Sequence, residues 1–290
     1  MQFLGRCTLQ DINKSSYDMI EYIVSNTAKL ITHDFIAKQQ SEFLKNCKNN
    51  LKYGEFVIIC DFSENYSFLV QNEVQGWHWS NAQCTIHPFS VYFKNNANII
   101  EHVSYIVISE SLKHDFIAVH LFQQQLLNFL NSHSNGTINK IYFFSDGAGG
   151  QYKNKKNFYN LCQLQEETAI DIEWHFFATS HGKGPCDAIG GTVKRLAAKA
   201  SLQRFNENHI LTALQLYEWA TTNCKKMKFV YCTIREYKEH AKQMEEELNL
   251  LKLKTVQGTQ KFHSIIPVNK RCIEAKLYSF SKNKNCFNLY

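Results

Sequence analysis

The spacing of apolar and polar residues along this 290-residue chain predicts an alternating series of helices and strands. Residues 10–50 are polar with recurring apolar positions, which predicts two helices. β-Branched and aromatic runs then predict strands over 55–62, 66–70, 84–93 and 103–108. Beyond them, helical spacing over 114–130, 155–165 and 187–202 alternates with strand-like runs over 140–144 and 171–179. The predicted class is a mixed α/β fold with a mixed sheet.

The order of these elements is also informative. Three early strands joined by hairpins, with 103–108 as an extra strand, precede strands that alternate with helices and therefore need crossover connections. That order matches the ribonuclease H-like fold, in which the first and fourth core strands lie side by side. We expect an N-terminal helical segment over 1–54, the core over 55–204, and a small C-terminal α+β appendage over 205–290.

Composition narrows the class of protein. Hydrophobic residues make up 44% of the chain, so a packed core is expected rather than a disordered chain. The ten cysteines include no Cys-x-x-Cys pair, which argues against a zinc module and favours reduced, buried thiols. No signal peptide and no apolar run of about 20 residues is present, so we expect a soluble nuclear or cytoplasmic protein with no membrane partner.

Three aspartates occupy the ends of predicted elements. Asp61 follows an apolar strand, Asp146 follows another and precedes a glycine-rich loop, and Asp187 opens a predicted helix. If the first and fourth core strands are neighbours, the carboxylates of Asp61 and Asp146 meet. Carboxylate oxygens are the ligands that Mg²⁺ and Mn²⁺ prefer, and two such ions suit an in-line phosphoryl displacement. The three aspartates are therefore the candidate catalytic and metal-binding residues.

Positive charge is concentrated near two of these aspartates. The formal net charge is +6, a mild excess that is compatible with a polyanionic partner. The basic residues and the histidine that we expect to contact nucleic acid lie in the loop after Asp146 and around Asp187: Lys153, Lys155, Lys156, His181, Lys183, Lys194 and Arg195.

Each of the candidate site residues also has a simpler structural interpretation. A single Asp-Gly pair is usually a turn, and an aspartate at the start of a helix usually caps it. Glu64 is an alternative metal ligand, and Glu207 and Glu218 are alternatives for the third acid. His175, on a strand between aromatic residues, is better explained as a hydrogen-bonded core histidine. A Cys186–His181 thiol–histidine pair is a weaker hypothesis than a buried structural thiol.

The chain resembles a transposon-derived protein family. The matching segments are CDFSENYS at 60–67, LKHD at 112–115, FSDG at 144–147, QYKNKKN at 151–157, WHFFATSHGKGPCD at 174–187, IGGTVKR at 189–195, LYEWA at 216–220 and GTQKFH at 258–263. The resemblance implies a transposase core with a ribonuclease H-like fold that uses three acidic residues and Mg²⁺. At the matching positions these acids are Asp61, Asp146 and Asp187, whereas many such cores have glutamate as the third.

The implied function is metal-dependent cleavage and strand transfer of DNA by a transposase-like enzyme, with a homo-oligomer as a further expectation. The chain shows no DNA-binding finger or helix-turn-helix pattern before residue 55, which separates it from complete transposases. A truncated or inactive copy, acting as a non-catalytic nucleic-acid-binding or interaction protein, is the alternative. A ribonuclease or exonuclease on the same scaffold is a third hypothesis.

Overall fold

A computed structural model describes residues 11, 13–69, 82–134, 137–179, 181–182, 184–203 and 210–290. In chain order, its helices and strands are α1 (Ser16–Asn49), β1 (Glu55–Cys60), β2 (Tyr66–Ser67), β3 (Gln83–Lys94), β4 (Ile100–Ser109), α2 (Phe116–His133), β5 (Lys140–Ser145), α3 (Lys155–Thr168), β6 (Asp171–Phe176), α4 (Pro185–Gln203), α5 (Ala213–Asn223), β7 (Met227–Cys232), α6 (Ile234–Leu250), β8 (Ser264–Asn269), β9 (Cys272–Lys276) and β10 (Asn285–Asn288).

One mixed sheet of ten strands organises the chain. Its spatial order is β10-β9-β8-β6-β5-β1-β3-β4-β7, and the short β2 pairs with β3 outside this path. Strand β1 is antiparallel to β3, and β3 is antiparallel to β4. On its other side β1 is parallel to β5, which is parallel to β6. The predicted mixed α/β class is confirmed, and so is the expected pairing of the strands that precede Asp61 and Asp146.

Two details of the predicted strand order are wrong. The run over 66–70 forms only the two-residue β2, whereas the supposedly extra run over 103–108 belongs to β4, a ten-residue strand paired along its length with β3. The reason lies in burial. The last six residues of β4 are all buried in the sheet, while only one residue of β2 is buried.

The N-terminal region forms one helix of 34 residues instead of the predicted two. Neither proline nor glycine occurs between residues 16 and 49, so nothing in the backbone interrupts the hydrogen-bond series. The side chain of Ser15 caps the start by accepting the N–H of Asp18 at 3.1 Å. The apolar residues of the two halves fall on different sides of this helix, which produced the impression of two helices.

The C-terminal strands extend both edges of the same sheet. Strand β7 is parallel to β4, and β8 to β10 continue beyond β6 as antiparallel neighbours. Within residues 210–290, the predicted α+β appendage therefore forms no sheet of its own. Its helix α6 begins with a capping box formed by Thr233 and Glu236, and it buries Tyr237, Met244 and Leu248.

Alternating residues of β1 pack in two different cores, one on each face of the sheet. Phe56, Ile58 and Cys60 pack in the core that includes residues of α2, α3 and α6. Val57 and Ile59 pack on the other face, with residues of α1 and the start of α4. Because β1 is covered on both faces, its sequence is a continuous apolar run, as expected for a strand that is buried on both sides.

The cysteines behave as buried apolar residues. Of those in the described ranges, all but Cys272 and Cys286 are buried, and none forms a disulfide. None of the described helices combines the length and the apolar character that crossing a bilayer requires.

Helix α4 approaches the sheet closely at one glycine. A β-carbon on Gly190 would lie 2.5 Å from Oγ and 3.0 Å from Cβ of Ser63, whereas one on Gly191 would have no neighbour within 4 Å. Of this pair, Gly190 therefore makes a close approach and Gly191 does not.

Alanine substitutions at these two glycines should have opposite effects. Gly190→Ala would push α4 away from Ser63, and we expect it to lower the free energy of unfolding by roughly 1–2 kcal/mol. Gly191→Ala gains helix propensity without a clash and should raise that free energy by about 0.5–1 kcal/mol. Urea denaturation of both variants measures the difference, and equal effects of the same sign would contradict the packing of α4 described above.

Candidate functional site

The first two candidate aspartates lie at the same edge of the sheet. Ile59 of β1 pairs with Phe144 of β5 in the parallel register. Asp61 and Asp146 each follow these paired residues by two positions, so the backbone brings them to equivalent places on neighbouring strands. The sequence-based expectation that these two residues come together is confirmed at the level of the backbone.

The third aspartate reaches the same edge through helix α4. The thiol of Cys186 donates to the carbonyl oxygens of Ile59 at 3.2 Å and of Pro88 at 3.5 Å, which fixes the first turn of α4 to the end of β1 and the middle of β3. Asp187 is the next residue in that turn. The thiol is buried, and burial raises its pKa well above the usual range. Cys186 is thus the buried structural thiol that the sequence favoured over a reactive thiol–histidine pair.

Gly182 lets the loop before α4 close over Asp146. A β-carbon built on Gly182 would lie 3.2 Å from Cβ of Asp146, which is tighter than ordinary contacts between side chains. The sequence pattern gave no reason to single out Gly182 in this role, because the contact joins residues 36 positions apart in the chain. A larger residue at this position would displace either the loop or the aspartate.

The carboxylates of Asp146 and Asp187 each accept a hydrogen bond from a nearby backbone N–H. Asp146 Oδ1 accepts the N–H of Ala148 at 3.0 Å, as in a turn that follows an aspartate. Asp187 Oδ2 accepts the N–H of Gly184 at 3.1 Å, as a residue in the first turn of a helix does when it reaches back to the cap position. Asp146 thus stabilises a turn and Asp187 the start of a helix. In each residue the second carboxylate oxygen takes no part in that bond.

The electrostatic coupling of the acids is visible at Asp61. Burial, reinforced by the negative charges of Asp146 and Asp187, raises the pKa of Asp61 to about 7. Burial also raises the pKa of Asp146, although the Ala148 N–H and the charge of Lys153 oppose that effect. A bound cation would relieve the repulsion that Asp61 experiences.

The donor set matches a hard divalent cation in its chemistry. Carboxylate oxygens held at the end of a rigid sheet are typical ligands of Mg²⁺ and Mn²⁺. Among the described residues, however, no three His, Cys, Asp or Glu side chains are arranged as a ready metal cluster. Asp61 and Asp146 would be the first ligands, and Asp187 would join them on leaving its bond to Gly184.

Lys153 does not occupy the surface position that we expected for a contact with nucleic acid. It is only 3% exposed, and its Nζ donates to the carbonyl oxygen of Gln260 at 3.0 Å. Burial lowers the pKa of Lys153 to about 8, while the charge of Asp146 acts in the opposite direction. Lys153 is therefore a buried cation that balances part of the negative charge of the site.

The other basic candidates differ in whether their side chains are exposed or already contact other residues. Lys155 Nζ donates to the carbonyl oxygen of Leu253 at 2.8 Å, and Lys156 Nζ lies 4.4 Å from the ring centre of Phe116, so both side chains are already engaged. Arg195 is exposed on α4. The remaining candidate of the loop, Lys183, lies outside the described residues.

Two further candidates have charged or aromatic neighbours. Lys194 is half-buried, and burial lowers its pKa while the nearby negative charge of Glu64 opposes that shift. His181 is exposed, and its ring centre lies 5.1 Å from that of His33 on α1. Both residues border the site without contacting its carboxylates through any hydrogen bond in the described part of the chain.

The alternative acids have weaker positions. Glu64 is exposed in the loop after β1, three residues beyond Asp61, and Glu218 is exposed on α5. Glu207 lies outside the described residues. Asp61 therefore remains the acid at the end of β1. Asp187 is also exposed, but the bonds of the neighbouring Cys186 fix its helix turn to β1 and β3.

His175 is a core histidine. It is completely buried, its Nδ1 lies 2.9 Å from Oγ of Ser279, and its Nε2 lies 3.1 Å from Oε2 of Glu173. Lys140 forms an ion pair with the same glutamate. The sequence-based interpretation of His175 as a hydrogen-bonded core residue is confirmed.

An aromatic wall next to Asp61 was missed from the sequence. The ring of Phe62 stacks on that of His114 at 4.4 Å and meets that of His87 edge-on at 4.3 Å. Nε2 of His87 lies 2.9 Å from the hydroxyl oxygen of the buried Tyr152. The available signal was the aromatic residue directly after Asp61 together with Tyr152 in the loop after Asp146.

The pH dependence of stability should report the buried charge of Asp61. Its pKa is 3.8 in an unfolded chain and about 7 in the fold. Between these values the folded protein keeps a proton that the unfolded chain has lost, so the free energy of unfolding should fall as pH rises from about 4 to about 7. Asp61→Asn should flatten that decline and stabilise the protein at pH 8 by about 1–3 kcal/mol.

Denaturant titrations in the presence of a chelator measure this difference. Glu239→Gln, which removes an exposed carboxylate that pairs with Arg235, is the matched control and should leave the pH profile unchanged. If Asp61→Asn and the wild type have the same profile, Asp61 does not carry a buried charge.

The comparison with protein families gives one match. Residues 40–279 match the model of a family described as a domain of unknown function (DUF8701), and this range covers the sheet from β1 to β9. No curated protein matches the chain, and no solved structure does. Because the family match spans well over half of the sequence, the chain belongs to the DUF8701 family.

Proposed function

We propose that this protein is a transposase-like enzyme that cleaves and joins DNA strands with the help of Mg²⁺ or Mn²⁺. The observation that carries the proposal is the parallel pairing of β1 with β5, because it brings Asp61 and Asp146 to the same edge of the sheet. Asp187, fixed to that edge by Cys186, supplies a third carboxylate.

The chemistry of the site supports phosphoryl transfer. When bound, a divalent cation would activate the attacking water or 3′-hydroxyl and stabilise the leaving oxygen. The aspartates would hold the cation. The pKa of Asp61 is raised mainly by burial and further by the charges of Asp146 and Asp187, as is common for carboxylates at functional sites. Lys153 would keep Asp146 ionised by balancing its charge from the buried side.

The fold supports the same proposal. Strands β4, β3, β1, β5 and β6 follow one another across the sheet, with the first three antiparallel and the last three parallel. This is the order expected of a ribonuclease H-like core, and helix α4 after β6 is the element that carries the third acid in the proposed arrangement.

Helix α4 offers a surface for the phosphate backbone. Arg195 and Lys199 are exposed on this helix, and Lys194 is half-buried between them and the sheet. Basic side chains that neutralise phosphates release counterions, so the affinity for DNA should fall steeply as the salt concentration rises.

The alternative function is nucleic-acid binding without chemistry. The specific observation in its favour is that Asp146 and Asp187 both accept local backbone N–H groups. If those bonds persist when DNA and a divalent cation are present, the carboxylates serve the fold and the basic surface alone remains functional.

Cleavage of a labelled DNA duplex and of single-stranded DNA in Mn²⁺ tests the catalytic proposal. We expect Asp146→Asn to reduce the rate by roughly 100-fold or more, because it removes a charge that would hold the cation. The control variant Glu239→Gln removes an exposed carboxylate on α6, and this variant should cleave DNA at the wild-type rate. Equal rates for Asp146→Asn and the wild type would assign any observed cleavage to a contaminant and overturn the proposal.

Substrate preference is tested with the same assay. Matched RNA, RNA–DNA hybrid and DNA substrates distinguish DNA strand cleavage from a ribonuclease activity on the same site. We expect DNA to be cleaved fastest. A strong preference for RNA or the hybrid would replace the transposase-like proposal with the ribonuclease alternative.

Binding to DNA is measured separately from cleavage. Replacing Arg195 and Lys199 by alanine should weaken binding uniformly across sequences and reduce the dependence of log affinity on log salt by about 1–2. Fluorescence anisotropy without divalent ions measures this slope. An unchanged slope would show that α4 does not contact the phosphate backbone, and binding without any cleavage would favour the non-catalytic alternative.

A further inference from the structure

The first half of helix α1 exposes an unusual number of large apolar side chains. Six of them are between 54% and 70% exposed and form what we call the α1 stripe: Tyr17, Ile20, Ile23, Val24, Leu30 and Ile31. Single exposed apolar residues are ordinary on a protein surface, but a contiguous row of them marks an interaction surface.

The stripe has the spacing of a helix that pairs with another helix. Tyr17, Ile20, Val24, Thr27 and Ile31 follow one another at intervals of three and four residues. Ile23 and Leu30, seven residues apart, flank that row. Apolar residues that are spaced alternately three and four positions apart form a seam that faces a partner helix along the whole length of the seam.

Among the described residues, the parts of α1 that meet the protein body lie in its second half. That half buries Ala37, Gln40 and Cys47 against the body. At about 100° per residue, Gln40 and Cys47 lie roughly opposite the row that runs from Tyr17 to Ile31, whereas Ala37 follows Leu30 by seven residues at the edge of the stripe. Within the described residues, ring contacts between α1 and the body begin only at His33 and Phe35, beyond the stripe.

We propose that the α1 stripe pairs with the same stripe of a second copy of this chain. The stripe contains no charged side chain, so two copies can face each other about a two-fold axis without opposing like charges. A membrane surface fits poorly, because helices that lie on membranes are rich in lysine and arginine. Between residues 16 and 34 this helix has three acidic residues and one lysine: Asp18, Glu21, Asp34 and Lys29.

The size of the stripe agrees with a modest dimer interface. If each of its side chains loses on the order of 100 Å² of exposed surface, the interface buries roughly 600 Å² per copy. The total of about 1,200 Å² is the lower limit for a specific protein–protein interface. We therefore expect reversible association in the micromolar range rather than a permanent dimer.

Sedimentation velocity on the full chain, from about 1 to about 200 µM, tests the proposal. We expect the wild type to shift from monomer to dimer within this range. The double variant Ile20→Lys, Ile31→Lys should stay monomeric throughout. Ser25→Lys, Thr32→Lys places two charges at exposed positions on the polar side of the same helix and should dimerise like the wild type.

Three outcomes would overturn the proposal. The first is a wild type that remains monomeric at every concentration, and the second is a stripe variant that dimerises as well as the wild type. The third is a monomer that binds vesicles of phosphatidylcholine and phosphatidylserine through the stripe, which would make a membrane the occupant. Circular dichroism melting checks that both variants are folded. The test is independent of the proposed DNA chemistry, because it uses no DNA and no divalent cation.

Discussion

The pairing of β1 with β5 is the constraint on which the proposed site depends. It places residues that are 85 positions apart in the chain side by side, on strands that run in the same direction. Residues that follow the paired positions by equal steps must then emerge together at the edge of the sheet. Asp61 and Asp146 do so, whereas a slip of one residue would turn one carboxylate to the opposite face.

Helix α4 converts this pair of acids into a possible triad. Its first turn is fixed to β1 and β3 by the thiol of Cys186, and its second turn approaches the loop after β1, where Gly190 leaves room for Ser63. Gly182 completes the closure over Asp146. The energetic consequence appears as the raised pKa of Asp61, since burial and two nearby negative charges oppose its ionisation. Ionisation of Asp61 thus destabilises the fold at this edge of the sheet, and a bound cation would reverse that effect.

Local patterns were sufficient to predict most of the core. Examples are the apolar run that ends at Asp61, the run that ends at Asp146 and the helical spacing after Asp187. Each of these patterns is formed by residues only a few positions apart in the chain, so periodicity detects it. Contacts between distant residues were not predictable in this way. Lys153 is buried because Gln260, 107 residues further along, offers its carbonyl oxygen, and nothing near Lys153 in the sequence indicates that. The long α1 was misjudged for a related reason: only its second half buries residues against the body, and the local sequence does not show which half does so.

Direct measurement of Mn²⁺ binding tests the central claim that the three aspartates form a divalent-cation site. Electron paramagnetic resonance at pH 8 counts free and bound Mn²⁺ without requiring any DNA substrate. The account predicts saturable binding to the wild-type protein, loss of that binding in Asp61→Asn and in Asp146→Asn, and unchanged binding in Glu239→Gln. Mn²⁺ binding that is absent from the wild type, or equally strong in all four proteins, would contradict it.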